Sequence, residues 1–338
     1  MSKTISAVDP QRIFQIINGF QLSAAIKAAV EIELFTKIAE GNRTTDSLAA
    51  ACGASERGVR ILCDTFAVIG LLNKERAEYS LADDSAAFLD KNSPRYVGSI
   101  VEFLMSPVQM QGFNNLTEAV RQGGSIVTED GSLDPESPMW VTFARAMVPM
   151  MQPAAEILTN HIAFEKDRKI KVLDIAAGHG MFGIMVAKAF PNAEIYAVDW
   201  KNVLAVASEN AELHGVADRH HLIPGSAFET DFGGGYDVVL VTNFLHHFDA
   251  QTCTDFMKKV NNSLNEDGKA INLEFIPNDD RVSPPFEALF SLIMLAATPA
   301  GDAYTFAELR RICENAGFTR NQHIPLSPMP HHLVISMK

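Results

Sequence analysis

The stretch VLDIAAGHGMFG, residues 172–183, sets Gly178, Gly180 and Gly183 in the spacing G-x-G-x-x-G, after a β-branched run and ahead of an apolar helical one. Glycines so placed allow a tight turn and let a ligand approach the backbone closely. The spacing alone is a weak sign; its position between strand and helix strengthens it. Asp199 ends the next strand candidate, AEIYAVD, where its carboxylate can accept hydrogen bonds from two ribose hydroxyls. NAD and S-adenosylmethionine both carry that ribose, so Asp199 does not separate them. Asp174, four residues before Gly178, does help: a carboxylate there repels a pyrophosphate and accommodates a ligand bearing an ammonium and a sulfonium. The same carboxylate can also order the turn by accepting backbone hydrogen bonds. The balance leans toward the sulfonium ligand, with a nicotinamide-dependent oxidoreductase as the rival.

These residues need a rigid support, and the pattern from Lys169 onward supplies one. The strand candidates are IKVLDIA, AEIYAVD, HHLIPG, YDVVLVTN, KAINLEFI and HLVISM. Helical stretches such as FGIMVAKAF, NVLAVASENAELHG and QTCTDFMKKVNNSLN lie between the earlier ones. This alternation predicts an α/β fold, a Rossmann-like doubly wound and mostly parallel sheet, over 169–338.

The first hundred residues follow another pattern. From 20 to 40, Leu22, Ile26, Val30, Leu34 and Ile38 form one stripe at helical spacing. Thr45 or Asp46 can cap a short helix that Gly53 stops. Ser55 caps a second helix ending near Gly70, and YSL at 79–81 reads as a short strand. That order is winged-helix-like. The second helix carries Glu56, Arg57, Arg60 and Asp64 and so lacks a basic face, which favours dimerisation over DNA binding. The stripe is too apolar for an isolated surface helix and predicts a homodimer. Residues 1–103 are thus expected to form a helical dimerisation domain, and 104–168 a helical linker carrying part of an acceptor pocket. A polar insert at 121–138 reads as a loop over the surface or at a cleft mouth.

Bulk properties narrow the function classes. A net charge of −13 disfavours nucleic acid and anionic membrane surfaces as partners. The four cysteines are dispersed, which suits reduced thiols. No apolar leader is visible at the N-terminus, and ALFSLIMLAATPA (288–300) is too short to span a bilayer. The expectation is a soluble, cytoplasmic protein. The adjacent pairs His220–His221 and His331–His332 face opposite ways on strands and do not make metal ligand pairs, so no metal is expected.

Taken in order and spacing, VLDIAAGHG, YAVDW, PGSAF, YDVVLVTNFLHHF and GKAINLEFIP resemble the motifs of small-molecule O-methyltransferases. That family includes plant caffeate and flavonoid enzymes and bacterial antibiotic and pigment enzymes. It also has an N-terminal winged-helix-like dimerisation domain, so the resemblance covers nearly the whole chain. It implies S-adenosylmethionine as methyl donor and S-adenosylhomocysteine as product. Carried over by position, it implies that Ala176 and Gly178 approach the methionine moiety, with Asp174 and Gly180 also at the cofactor, and that Asp199 binds the ribose. Trp200 would then pack near the adenine, while Ser226, Ala227 and Phe228 line its pocket. Thr242 and Asn243 fall on the strand end facing the cofactor. His246 falls on the catalytic base, and Glu274 on the carboxylate that orients it.

The chain departs from many relatives at Ala176 and Ala177, where glycines are common, at Ser226 for aspartate and at Thr242 for lysine. It also has Ala303 where a second carboxylate is frequent, with Asp302 adjacent and Tyr304 as a substitute partner or base. The reaction expected is in-line methyl transfer to a phenolic or enolic oxygen, whose proton one histidine can take far more readily than that of an aliphatic alcohol, without a metal. N- or C-methylation, non-methylating chemistry and a winged-helix regulator are the remaining alternatives. His247 is expected to point away from His246 by strand alternation. The acceptor pocket is expected between the domains, walled by Phe143, Met147 and Met151 on one side and Phe290 and Met294 on the other, an apolar surface suited to a planar small molecule.

Overall fold

The computed structural model describes residues 9–127 and 137–338. The chain divides into two compact units, one running to Met105 and the other from Ser106 to Lys338. Half of the predicted polar insert, residues 128–136, lies outside the described residues.

The first unit contains α1 (Gln11–Ile17), α2 (Gly19–Glu31), α3 (Leu34–Ala39), α4 (Thr45–Ala51) and α5 (Glu56–Val68). A hairpin of β1 (Leu72–Glu75) and β2 (Glu78–Leu81) follows, then α6 (Asp83–Phe88) and α7 (Ile100–Leu104). The stripe expected on one helix is divided between two. Glu33 takes a left-handed conformation (φ 56°) and breaks the helix between α2 and α3. Leu34 and Ile38 go into the unit's own core with Phe35, Leu48, Val59 and Phe66, whereas Leu22 stays 43% exposed. The uncovered apolar face lies further toward the N-terminus, on Ile13, Phe14, Ile16, Ile17 and Phe20. Thr44 caps α4, not Thr45 or Asp46: its side chain and that of Ser47 satisfy each other's backbone N–H. Ser55 caps α5 as expected, accepting from the Gly58 N–H at 3.1 Å. The strand at 79–81 exists, and its partner Leu72–Glu75, too polar to stand out in the sequence, pairs with it antiparallel.

The second unit begins with α8 (Pro107–Asn114), α9 (Leu116–Gln122) and the long α10 (Pro138–Thr159). The sheet then alternates with helices: β3 (Ile170–Ile175), α11 (Met181–Ala189), β4 (Ala193–Asp199), α12 (Lys201–Leu213), β5 (His220–Pro224), β6 (Tyr236–Thr242), α13 (Ala250–Ser263) and β7 (Leu264–Glu274). Next come α14 (Pro285–Ala297), α15 (Phe306–Asn315), β8 (Arg320–Pro325) and β9 (His332–Met337). The seven strands are ordered β5-β4-β3-β6-β7-β9-β8, parallel as far as β7, with β9 antiparallel to both of its neighbours. β8 was not apparent from the sequence because RNQHIP carries no apolar alternation; it is an edge strand, held by the ladder to β9. The core strands Val238–Val241 and Ile271–Leu273 are almost continuously buried, as strands covered on both faces must be. α10 packs on α11 and α12, and α14 on α8 and α9.

Gly183 serves this packing. It sits inside α11 without an unusual dihedral, but a Cβ there would come within 2.6 Å of Ile195 Cγ2 and 2.9 Å of Asp174 Oδ2. Only a residue without a side chain lets the helix lie this close to the sheet. Among the described residues no single helix is long and apolar enough to cross a bilayer; α1 and α2 together reach that length and composition, but they meet at a 42° bend.

Candidate active site

The carboxyl ends of β3, β4, β6 and β7 converge on one edge of the sheet, where doubly wound folds place their ligands. At β3 the chain turns through Ala176 (φ 50°), Gly178 (φ 58°) and Gly180 (φ 75°) before entering α11. For glycine this conformation is free, while for Ala176 it costs about 1–2 kcal/mol. Asp174 is completely buried beneath the turn. Its Oδ2 accepts from the Gly183 N–H at 3.0 Å, and its Oδ1 has no protein partner. Burial, together with the nearby Asp199 charge, pushes its pKa up to about 8. Asp199 accepts from the N–H of Gly178 (2.8 Å) and from its neighbour Trp200 (2.7 Å). Its pKa is raised to about 6 by burial, against the pull of those two amides. Two carboxyl groups with weakened acidity and an unpaired oxygen form a cradle for a ligand that brings positive charge and hydroxyl donors.

The ring of Trp200 is not free at the strand end. It packs with Trp140 and Val141 against Ala144, Val203 and Val206, tying α10 to α12. Ser226 accepts from the Phe228 N–H through its hydroxyl. Phe228 is 39% exposed and contacts Phe244, Phe248 and Phe256, with ring centroids 4.9–5.8 Å apart. Lys259 was not singled out in the sequence. Its ammonium donates to the carbonyls of Ala227, Phe228 and Thr230, fixing this loop.

At β6, Thr242 is buried and Asn243 adopts φ 51°, donating its N–H to the Leu273 carbonyl. Asn243 Oδ1 is buried without a partner, while its Nδ2 lies 3.5 Å from Met151 Sδ. The strand ends there and a 3-10 turn, Leu245–His247, follows. Glu274, at the end of β7, holds that turn. Its Oε1 accepts from the N–H groups of Phe244 (3.1 Å) and Leu245 (2.8 Å), and its Oε2 from His246 Nδ1 (2.5 Å). His246 is 5% exposed, and its Nδ1 proton is thereby assigned, leaving Nε2 as the acceptor nitrogen.

The turn also corrects the expectation for His247. Because the strand has ended, the two imidazoles do not alternate: their centroids are 4.3 Å apart. His247 Nδ1 lies 3.3 Å from the Phe244 carbonyl, and burial beside His246 lowers its pKa. Ala303 is fully buried, Asp302 pairs with Arg281 at 3.0 Å, and the Tyr304 hydroxyl donates to the Phe248 carbonyl at 2.6 Å. Burial and nearby acidic groups raise the Tyr304 pKa, and its hydroxyl proton is held by the Phe248 carbonyl. Phe290 meets His246 edge-on at 4.8 Å and stacks on Phe275, a ring absent from the sequence-based list, at 4.3 Å. Met147, Met151 and Met294 are buried, and Phe143 meets Trp140 edge-on. Among the described residues no group of three or more His, Cys, Asp or Glu is gathered in a way that could hold a metal.

Residues 113–319 match the family model described as the O-methyltransferase domain, and residues 14–91 match that of the O-methyltransferase dimerisation domain. The chain belongs to the O-methyltransferase family. A crystal structure of a candidate O-methyltransferase from Nostoc punctiforme is 50% identical, with a TM-score of 0.94, over 98% of this chain and 100% of that one. The tetracenomycin polyketide synthesis 8-O-methyl transferase TcmO of Streptomyces glaucescens is 27% identical, over 92% of this chain and 91% of its own. Human N-acetylserotonin methyltransferase, crystallised with S-adenosylmethionine, shares the fold at 20% identity and a TM-score of 0.84, over 100% of this chain and 99% of its own. The methyltransferase fold accounts for the site's position, and the side-chain geometry above belongs to this chain.

Glu274→Gln tests the anchor. The two amides that meet at Oε1 require the carbonyl of the new amide there, which turns its NH2 toward His246. The imidazole proton should then move from Nδ1 to Nε2, observable in nitrogen NMR of the ring. An unchanged Nδ1–H tautomer would show that the carboxylate does not set it.

Proposed function

We propose that the chain methylates a hydroxyl of a small planar phenol or enol, with S-adenosylmethionine as donor and His246 as general base. The observation that carries this reading is the His246–Glu274 pair: one imidazole nitrogen is tied to a buried carboxylate and the other is an acceptor beside the Phe290 ring. When bound, S-adenosylmethionine supplies an electrophilic methyl group on a sulfonium. The residues present fit it: the unpaired Asp174 Oδ1 and the raised pKa values of Asp174 and Asp199 suit a ligand with an ammonium and ribose hydroxyls. The half-open face of Phe228, on a loop clamped by Lys259, suits an adenine. The S-adenosylmethionine crystallised with the human relative supports the same donor.

The protein's remaining tasks are to align the acceptor and to take its proton. Alignment falls to the apolar side chains Met147, Met151, Phe290 and Met294. Complete prior ionisation of a phenol of pKa ~10 by an imidazole of ~6.5 would cost about 5 kcal/mol. His246 Nε2 avoids most of that cost by accepting the proton as the acceptor oxygen forms its new bond. The Glu274 carboxylate then stabilises the imidazolium until the proton leaves to solvent. An aliphatic alcohol would leave a far larger gap for one histidine to bridge.

His246→Ala should bind S-adenosylhomocysteine as the parent does while turning over about 10²–10⁴-fold more slowly. Wild-type turnover in that variant would remove the base from the mechanism. A second outcome concerns pH. Because the Asp174 pKa is raised to about 8, its carboxyl is mostly protonated at neutral pH, and a cationic ligand must displace that proton. Affinity for S-adenosylhomocysteine should therefore rise between pH 6 and 8 and level off above, with proton release seen by calorimetry in buffers of different ionisation enthalpy. A flat profile would place the ammonium away from Asp174.

The dimerisation-domain match and the uncovered Ile13, Phe14, Ile16, Ile17 and Phe20 support a homodimer. Light scattering should return twice the chain mass, and a concentration-independent monomer would overturn the assignment.

A further inference from the structure

His331 and His332 are neighbours in the chain with opposite surroundings. His332 Nδ1 lies 2.7 Å from His323 Nε2, and its own Nε2 faces the buried Glu287 carboxylate at 3.6 Å. His331 is 2% exposed, and neither of its ring nitrogens has a hydrogen-bond partner. Its ring packs on Phe275 with centroids 4.5 Å apart; Phe275 packs on Phe290, and Phe290 meets His246. A row of rings therefore runs from one imidazole to another. An imidazole carries hydrogen-bonding capacity on both nitrogens. Leaving both unpaired in an interior is rare, and each such case calls for an explanation. Burial, with His246 and His332 adding to the effect, lowers the pKa of His331 to about 4. It is thus neutral near pH 7 and offers one donor and one acceptor.

We propose that His331 is a specificity-determining residue that hydrogen-bonds an oxygen of the methyl acceptor remote from the hydroxyl facing His246. The substrate class that follows is a planar fused-ring phenol carrying a second hydroxyl or a carbonyl at its far end. This rests on the phenolic reading given above. The half-buried ring of Phe290 beside His246 offers an aromatic face for such a plane, and the buried Phe275 packs behind it against His331, so that the row has a polar group at each end. A substrate with one oxygen would satisfy His246 and leave His331 unpaired.

The test compares methyl transfer from S-adenosylmethionine to 2-naphthol, with one hydroxyl, and to 2,6-dihydroxynaphthalene, whose second hydroxyl lies at the opposite end. His331→Phe keeps the ring packing and removes both polar atoms, whereas His331→Gln keeps a donor and an acceptor. Wild type should prefer the diol by tenfold or more in kcat/KM. His331→Phe should lose that preference through KM, with kcat, the KM for 2-naphthol and S-adenosylhomocysteine affinity unchanged, and His331→Gln should restore part of it. Equal preference in wild type and His331→Phe, or equal loss on both acceptors, would overturn the proposal. If His331→Phe does not fold, His331→Leu against His331→Gln makes the same comparison. Failure of wild type to methylate either probe while still binding S-adenosylhomocysteine would instead overturn the phenolic reading on which the proposal rests.

Discussion

A single carboxylate organises the turn after β6. Glu274 is 3% exposed, and a buried charge is tolerable only when its lone pairs are filled. Here three N–H donors fill them, two from the backbone of the turn after β6 and one from His246. The interaction fixes the path of the turn, the direction of the imidazole and its tautomer together. Much of the surrounding structure serves it. Asn243 enters the left-handed region so that the chain can leave β6, Cys253 Sγ and the Tyr304 hydroxyl bond carbonyls of the same turn, and the loop at Gly301 passes close beneath. A Cβ on Gly301 would lie 2.2 Å from the His246 carbonyl oxygen, so this loop needs glycine to approach the turn.

The ligand end shows a second kind of constraint. At the β3 turn the relevant groups are buried carboxyls whose environment disfavours their charge, and a non-glycine residue held at positive φ. Such strain persists only where the fold over-determines it, as the close packing of α11 on β3 through Gly183 does here. The two ends share a sheet edge but are stabilised differently, one by filled hydrogen bonds and the other by enforced packing. The aromatic residues Phe228, Phe244, Phe248 and Phe256 pack on one another and join the loop at 226–228 to the turn after β6 and to α13.

The limits of the sequence are clear at particular residues. Strand–helix alternation from Lys169 was legible because β-branched runs and 3.6-residue periodicity are local signals. β8 was not, because RNQHIP has no such signal and is held in place by its partner strand. The stripe from Leu22 to Ile38 misled for the converse reason. Periodicity continues across Glu33, but the helix breaks there, and Leu34 and Ile38 go into the unit's own core. Strand alternation predicts that His247 points away from His246, but the strand ends before it and a 3-10 turn sets the two imidazoles side by side.

By itself, then, the sequence determined the α/β architecture, the glycine turn and the carboxylates at the strand ends, since each follows from short-range periodicity or from motif spacing. It also marked His246 and Glu274, but only through resemblance to a family. What the tertiary structure decided is how the surroundings of individual histidines differ among the chain's ten. One is anchored to a carboxylate, its neighbour is tied to a backbone carbonyl, and a third is buried with both nitrogens unpaired. These differences arise from partners 3 and 28 positions away along the chain, or from the lack of any partner in a packed interior. Side-chain chemistry of that kind depends on three-dimensional neighbours, which residue types and local spacing do not encode.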